Sequence, residues 1–153
     1  MNDYFLEMFE YNKYANNLYI KEMIENNIEN TKINKLFSHV LNSHNIWLCR
    51  LQKKFSRFKL WDVHANQMLS EINQQLYIES LYYVNVLSPS DFKQTVEYKV
   101  STSESFENTV LECLTQIITH GAHHRAQISL LLRQLDIEPP KSNYIFYLRD
   151  TNK

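Results

Sequence analysis

The stretch Thr119-His120-Gly121-Ala122-His123-His124-Arg125-Ala126-Gln127 concentrates three of the chain's six histidines within five residues. It lies inside a long run that reads as helix. Residues four apart share a helix face, with Cβ atoms about 5–6 Å apart, so His120 and His124 can aim at one point. Neutral imidazoles bind zinc, nickel or a similar divalent ion, with zinc–nitrogen distances of about 2.0–2.1 Å. Two of them supply half a coordination shell.

Two bundle-metal patterns are excluded at once. Carboxylate-bridged di-iron bundles need Glu-x-x-His on two helices, and the chain has no such spacing. A zincin needs His-Glu-x-x-His, but Gly121 follows His120 and the general base is missing. The remaining arrangement is three histidines, the third drawn from an earlier helix that carries His39 and His44. Three protein ligands leave one position open for water or a substrate thiol, as in catalytic sites. His39 and His44 are five residues apart, roughly 140° around a helix, so one ion would take only one of them. His44 lies nearer the centre of the apolar stripe, and periodicity leans to it. Without a metal, an HxxxH pair is an ordinary surface feature and a histidine in an apolar stripe is an ordinary core residue. Arg125 and Gln127 are candidates to hydrogen-bond the ligating rings from behind and so orient them, or else are solvated. Cys49 and Cys113 read as buried small hydrophobes rather than nucleophiles.

The elements that must position these groups are helices. The 153 residues include one glycine and three prolines, far fewer than strands joined by tight turns require. Hydrophobic residues make up 44% and aromatic residues 13%, enough for a buried core in a single domain over residues 1–153. Sixteen Lys and Arg balance seventeen Asp and Glu without a basic block, which argues against nucleic acid as a partner. No apolar run approaches the roughly 18–20 residues of a membrane span, and residues 1–3 lack the opening of a signal peptide. The two cysteines form no CxxC pair or disulfide framework, so a reduced, cytoplasmic setting is expected.

Helical stripes are expected over residues 2–27, from 31 to about 54 behind an Asn30-Thr31 cap, over 65–87, and over 106–135 behind Ser103 or Ser105. Residues 55–64 form a connector whose Phe58, Leu60 and Trp61 pack on the bundle. Ser88-Pro89-Ser90-Asp91 stops the third helix, and residues 92–101 alternate like a strand or hairpin arm. Residues 143–148 form an aromatic tail that docks back. The fold expected is all-α, a four-helix bundle with a short β-hairpin or strand between helices three and four.

The helix-four stretch runs on through Ile128-Ser129-Leu130-Leu131-Leu132-Arg133-Gln134-Leu135 to Pro139-Pro140-Lys141-Ser142-Asn143-Tyr144-Ile145. It resembles the DinB family of DNA-damage-inducible, YfiT-like four-helix bundles, with their H-x-x-H-H-R-x-Q core, Pro-Pro exit and aromatic tail. Phe37-Ser38-His39-Val40-Leu41-Asn42 followed by Ile46-Trp47-Leu48 and Arg50 is similar to the family's His-then-Trp signature, and Trp61-Asp62 and Phe106-Glu107-Asn108-Thr109 also fit. The resemblance covers nearly the whole chain.

By that resemblance a divalent metal is held by His39, eight residues before Trp47, and by the His120/His124 pair, with His44 the competing ligand. The resemblance also implies a homodimer and a reaction like that of bacillithiol- and mycothiol-dependent relatives. A low-molecular-weight thiol would be transferred to an electrophilic small molecule, or a hydrolase-like reaction performed. The alternative is a stress-response bundle that binds metal without catalysis. No catalytic residue is named; Tyr144, Tyr147 and His44 are candidates for a general base. Two departures stand out. Asp136 replaces the usual helix-ending glycine, and Ala126 replaces the glutamate that related iron-dependent sulfoxide synthases carry after the pair, which disfavours iron oxygenase chemistry.

Overall fold

The computed structural model describes residues 1–28, 31–100 and 102–151. Four long helices form the bundle: α1 (Asn2–Glu25), α2 (Thr31–Leu51), α3 (Asn66–Asn85) and α4 (Val110–Arg133). Between α3 and α4 lie a 3₁₀ turn (Asp91–Lys93) and a two-stranded antiparallel hairpin, β1 (Thr95–Lys99) with β2 (Ser105–Thr109). The short α5 (Tyr144–Thr151) ends the chain. The helical-bundle expectation, hairpin included, agrees with this architecture. Among the described residues no helix is long and apolar enough to cross a membrane.

α1 packs chiefly on α3, and α2 on α4, with lesser α1–α4 and α2–α3 contacts. α1 therefore stands opposite α2, and α3 opposite α4, and the α2–α4 contact is what brings a helix-two histidine towards His120. Two apolar clusters fill the bundle. One gathers Tyr19, Met23, Ile33, Phe37, Leu41 and Ile128, and the other Phe5, Phe9, Val84, Phe92, Leu114 and Ile117. Full burial of each such side chain contributes about 1.5–3 kcal/mol.

A buried polar network also crosses the bundle. Arg125 Nη1 donates to Asn12 Oδ1 at 2.8 Å and Asn16 Oδ1 at 2.7 Å. Asn16 Nδ2 donates to Asn73 Oδ1 at 2.9 Å, which ties α4 to α1 and α1 to α3. The chain's single glycine makes room for this junction. A Cβ on Gly121 would lie 2.9 Å from Asn12 Oδ1 and 3.0 Å from Arg125 Nη1.

The helix ends depart from the sequence reading in instructive ways. α4 begins at Val110, not 106, because residues 105–109 pair with β1 in the register Thr95↔Thr109 to Lys99↔Ser105. Its cap is accordingly Thr109 rather than Ser103 or Ser105. Thr109 accepts from the Glu112 N–H, and Glu112 accepts from the Thr109 N–H, a reciprocal capping box. With so little glycine, other residues take the left-handed conformation after helices: Asn27 (φ 48°), Lys53 (φ 55°) and Asp136 (φ 58°). After Asp136, Ile137 N–H bonds back to Leu132 O, and Asp136 N–H to Arg133 O, so the exit is a Schellman motif built on aspartate. The expected cap at Asn30, the Thr31 side chain, and residue 101 of the expected strand lie outside the described residues. The aromatic tail is α5, whose Tyr144 and Tyr147 pack on Tyr11 and Tyr14 of α1.

Candidate metal centre

His120 and His124 project from one face of α4, and His39 meets them from α2. His120 Nε2 lies 3.2 Å from His39 Nε2 and 3.1 Å from His124 Nε2, and one nitrogen of each ring falls within 4.8 Å of the others. Ligands about 2.05 Å from a tetrahedral ion stand about 3.3 Å apart, close to the two shorter separations. His39 is buried, while His120 and His124 are half-buried. The cluster thus lies at the wall of the bundle, where a small molecule has access.

The hydrogen bonds behind the rings fix which nitrogen faces inward. His39 Nδ1–H donates to the Leu60 carbonyl at 3.2 Å, leaving its Nε2 as the lone pair. Gln127 Nε2 donates to His123 Nε2 at 3.1 Å, so its Oε1 accepts from His124 Nδ1–H at 2.7 Å. His124 Nε2 is then also a lone pair, and His120 Nε2 stands between the two. One proton on His120 satisfies only one of those neighbours, whereas a single cation satisfies all three. The donor set fits a divalent ion. Burial pushes the His120 pKa down to about 4, with repulsion from His124, His39 and His123 adding to it. Burial likewise lowers that of His39, against the Leu60 hydrogen bond. Both effects favour the neutral, ligating form.

α2 holds the connector that serves His39. Ser38, Asn42 and Asn45, all buried, fall along one side of α2. Ser38 Oγ accepts from His64 N–H at 3.1 Å, Asn42 Nδ2 donates to Asp62 O at 2.7 Å, and Asn45 Oδ1 accepts from Arg57 N–H at 3.0 Å. These bonds lay residues 56–64 across the helix and place Leu60 O against His39. The Trp61 ring then stacks on the His39 imidazole, with centroids 4.0 Å apart and planes 15° from parallel. Trp61 remains 50% exposed, an aromatic wall beside the cluster.

The other sequence candidates are elsewhere. His44 is buried, stacked on Phe9 at 5.6 Å, and its Nε2–H donates to Ser80 Oγ at 2.8 Å. It takes no part in the cluster, because five residues along α2 turn it inward to α1 and α3. Arg125 does not orient the histidines; it turns into the bundle to Asn12 and Asn16. Gln127 does touch His124 and His123. Cys113 is buried and Cys49 half-buried, and desolvation raises the pKa of both thiols. Tyr147 is buried on α1 with its pKa pushed up to about 12, chiefly by desolvation, and the Tyr144 hydroxyl donates to Glu7 at 2.5 Å. Among the described residues no carboxylate or thiol joins the three imidazoles.

Sequence reasoning missed Leu60, Trp61, Ser38, Asn42 and Asn45 as parts of this site. The signal available was the polar series at 38, 42 and 45 on an otherwise apolar helix face, which required a loop to satisfy it.

The chain is similar to Protein DinB of Bacillus subtilis (strain 168), at 25% identity over 168 residues, covering 97% of this chain and 95% of that protein. The sequence profile of the DinB family matches residues 1–153, helix-four histidines and exit included. With a match that spans its full length, the chain belongs to the DinB family.

Proposed function

We propose that His39, His120 and His124 hold a divalent cation, zinc or nickel, and that the protein is a thiol-transferase-type enzyme using the coordination position they leave open. The observation that carries the reading is the convergence of three Nε2 atoms, two of them fixed as lone pairs by Leu60 and Gln127. An ion bound there supplies Lewis acidity that lowers the pKa of a thiol it binds.

The chain's own residues do the rest. Leu60 O and Gln127 hold two rings against rotation, so the open face keeps its direction. Trp61 offers a flat apolar wall to an electrophile, and Lys35 Nζ, 5.4 Å from that ring, brings positive charge to its edge. A thiol would lose its proton to solvent at the half-exposed face, since no carboxylate stands in the cluster. Its sulfur would then attack an electrophilic carbon, and the leaving group would depart with the bonding pair. A homodimer belongs to the same proposal. It draws support from Ile78 and Tyr82 on α3 and Val86 at its C-cap, exposed apolar residues four apart.

The test is a conjugation screen of metal-loaded protein with low-molecular-weight thiols against a chlorodinitrobenzene and an epoxide. Turnover that is lost in His120→Ala/His124→Ala supports the proposal. Bound metal with no turnover of any thiol above the uncatalysed rate returns the non-enzymatic metal-binding bundle, and sedimentation equilibrium reads the dimer.

A further inference from the structure

Arg125 follows His124 in sequence but serves the opposite side of α4. It is 1% exposed, and its guanidinium remains charged at any physiological pH. Nη1 is taken by Asn12 and Asn16, both neutral, and the Tyr11 ring lies 5.8 Å from the guanidinium carbon. Nη2 is buried and, among the described residues, nothing accepts from it. Among the described residues no carboxylate forms an ion pair with Arg125 either. Desolvating an ion costs several kcal/mol when no counter-charge offsets it, so a buried arginine without a carboxylate needs an explanation.

The explanation lies beside it. Arg125 lines a cavity of about 490 Å³ bounded by α1, α4 and the segment after α4. Arg133 and Lys141 stand on its wall, both exposed and neither in an ion pair with a described residue, against one carboxylate, Glu138. Three positive groups thus face one negative group. The cavity's hydroxyls are ordered too. Ser129 Oγ donates to Arg125 O at 3.0 Å, so the Tyr19 hydroxyl must donate to Ser129 Oγ at 2.6 Å. Tyr19 then accepts from Ser142 Oγ, which lies 3.3 Å away, a long bond that leaves the Ser142 proton available to a stronger acceptor. Pro139, Pro140 and Phe146 add an apolar flank. The volume falls within the roughly 300–1,000 Å³ of small-molecule sites.

We propose that this cavity binds a small organic oxyanion, a carboxylate or a phosphate monoester, with Arg125 as its buried counter-charge and Arg133 and Lys141 at its rim. It is a second site. Ser129 is nine residues from His120, about half a turn round α4, so the helix backbone separates the cavity from the histidines. The inference is therefore independent of metal binding.

The test is calorimetric titration of the full chain, chelator-treated and metal-loaded, with benzoate, phenyl phosphate and inorganic phosphate at constant ionic strength in chloride. Saturable binding is expected from benzoate or phenyl phosphate, and the tighter of the two identifies the headgroup. Arg133→Gln/Lys141→Gln should weaken it roughly tenfold, two rim charges being removed. Arg125→Gln should remove it, and His120→Ala/His124→Ala should leave it unchanged. If Arg125→Gln fails to fold by circular dichroism, the rim double variant decides. No saturable heat from any of the three anions, or an unchanged affinity in the rim variant, overturns the proposal.

Discussion

Gly121→Ala sets two effects of opposite sign against each other. In a helix interior alanine is favoured over glycine by about 1 kcal/mol, so an isolated α4 would gain. In the bundle the added Cβ would sit 2.9 Å from Asn12 Oδ1 and 3.0 Å from Arg125 Nη1. Those two atoms are the ends of one 2.8 Å hydrogen bond, and Asn12 and Arg125 are 2% and 1% exposed, so neither can retreat into water. Losing a hydrogen bond to a buried charge costs about 1.5–3 kcal/mol. The net expectation is a loss of roughly 0.5–2 kcal/mol, or a fall of several degrees in Tm. Urea unfolding at neutral pH measures it. In a double-mutant cycle, Asn12→Ala should remove much of the Gly121→Ala penalty, because the clash partner is gone. A Gly121→Ala protein more stable than the wild type would refute the reasoning, since propensity alone would then have decided the outcome.

Three further outcomes follow from particular contacts. Burial pushes the His44 pKa down to about 3, so between that value and the unfolded value near 6.5 the unfolded chain binds the extra proton. Stability is full above about pH 6.5 and falls as pH drops towards 3, by up to about 1.4 kcal/mol per unit, and His44→Gln should flatten the urea-midpoint profile across that window. Gln127→Ala frees the His124 ring and should weaken zinc binding roughly 10–100-fold in a competition titration with a chelating dye, without unfolding the protein. Asp136→Gly removes the left-handed strain at φ 58° and should raise stability by about 0.5–1 kcal/mol in thermal unfolding.

What the sequence made legible follows from what is local. Apolar stripes reveal α1 to α4 because a helix buries one face, and the His120/His124 spacing is a property of one helix. Periodicity leaned to His44, whereas the residue that meets the helix-four pair is His39. The feature that favours His39 is the Leu60 carbonyl, delivered by a connector twenty-one residues downstream of it. The start of α4 was misplaced for a similar reason. Residues 106–109 are neutral in propensity, and their pairing with β1 is non-local, although Thr109-Val110-Leu111-Glu112 carried the capping-box pattern. The Asn12, Asn16 and Asn73 network was invisible because its partners lie on three different helices, α1, α3 and α4, and no local spacing links them. Arg125 read as solvated or as a neighbour of the histidines; only the packing of α1 on α4 reveals where its guanidinium goes.

The most direct test of the three-histidine centre is metal content by mass spectrometry after equilibration with zinc or nickel and exhaustive dialysis. The wild type and His44→Ala are expected to retain about one equivalent per chain, and His39→Ala and His120→Ala/His124→Ala to lose it. Metal retained by His39→Ala and lost by His44→Ala, or unchanged in the helix-four double variant, would contradict the centre described.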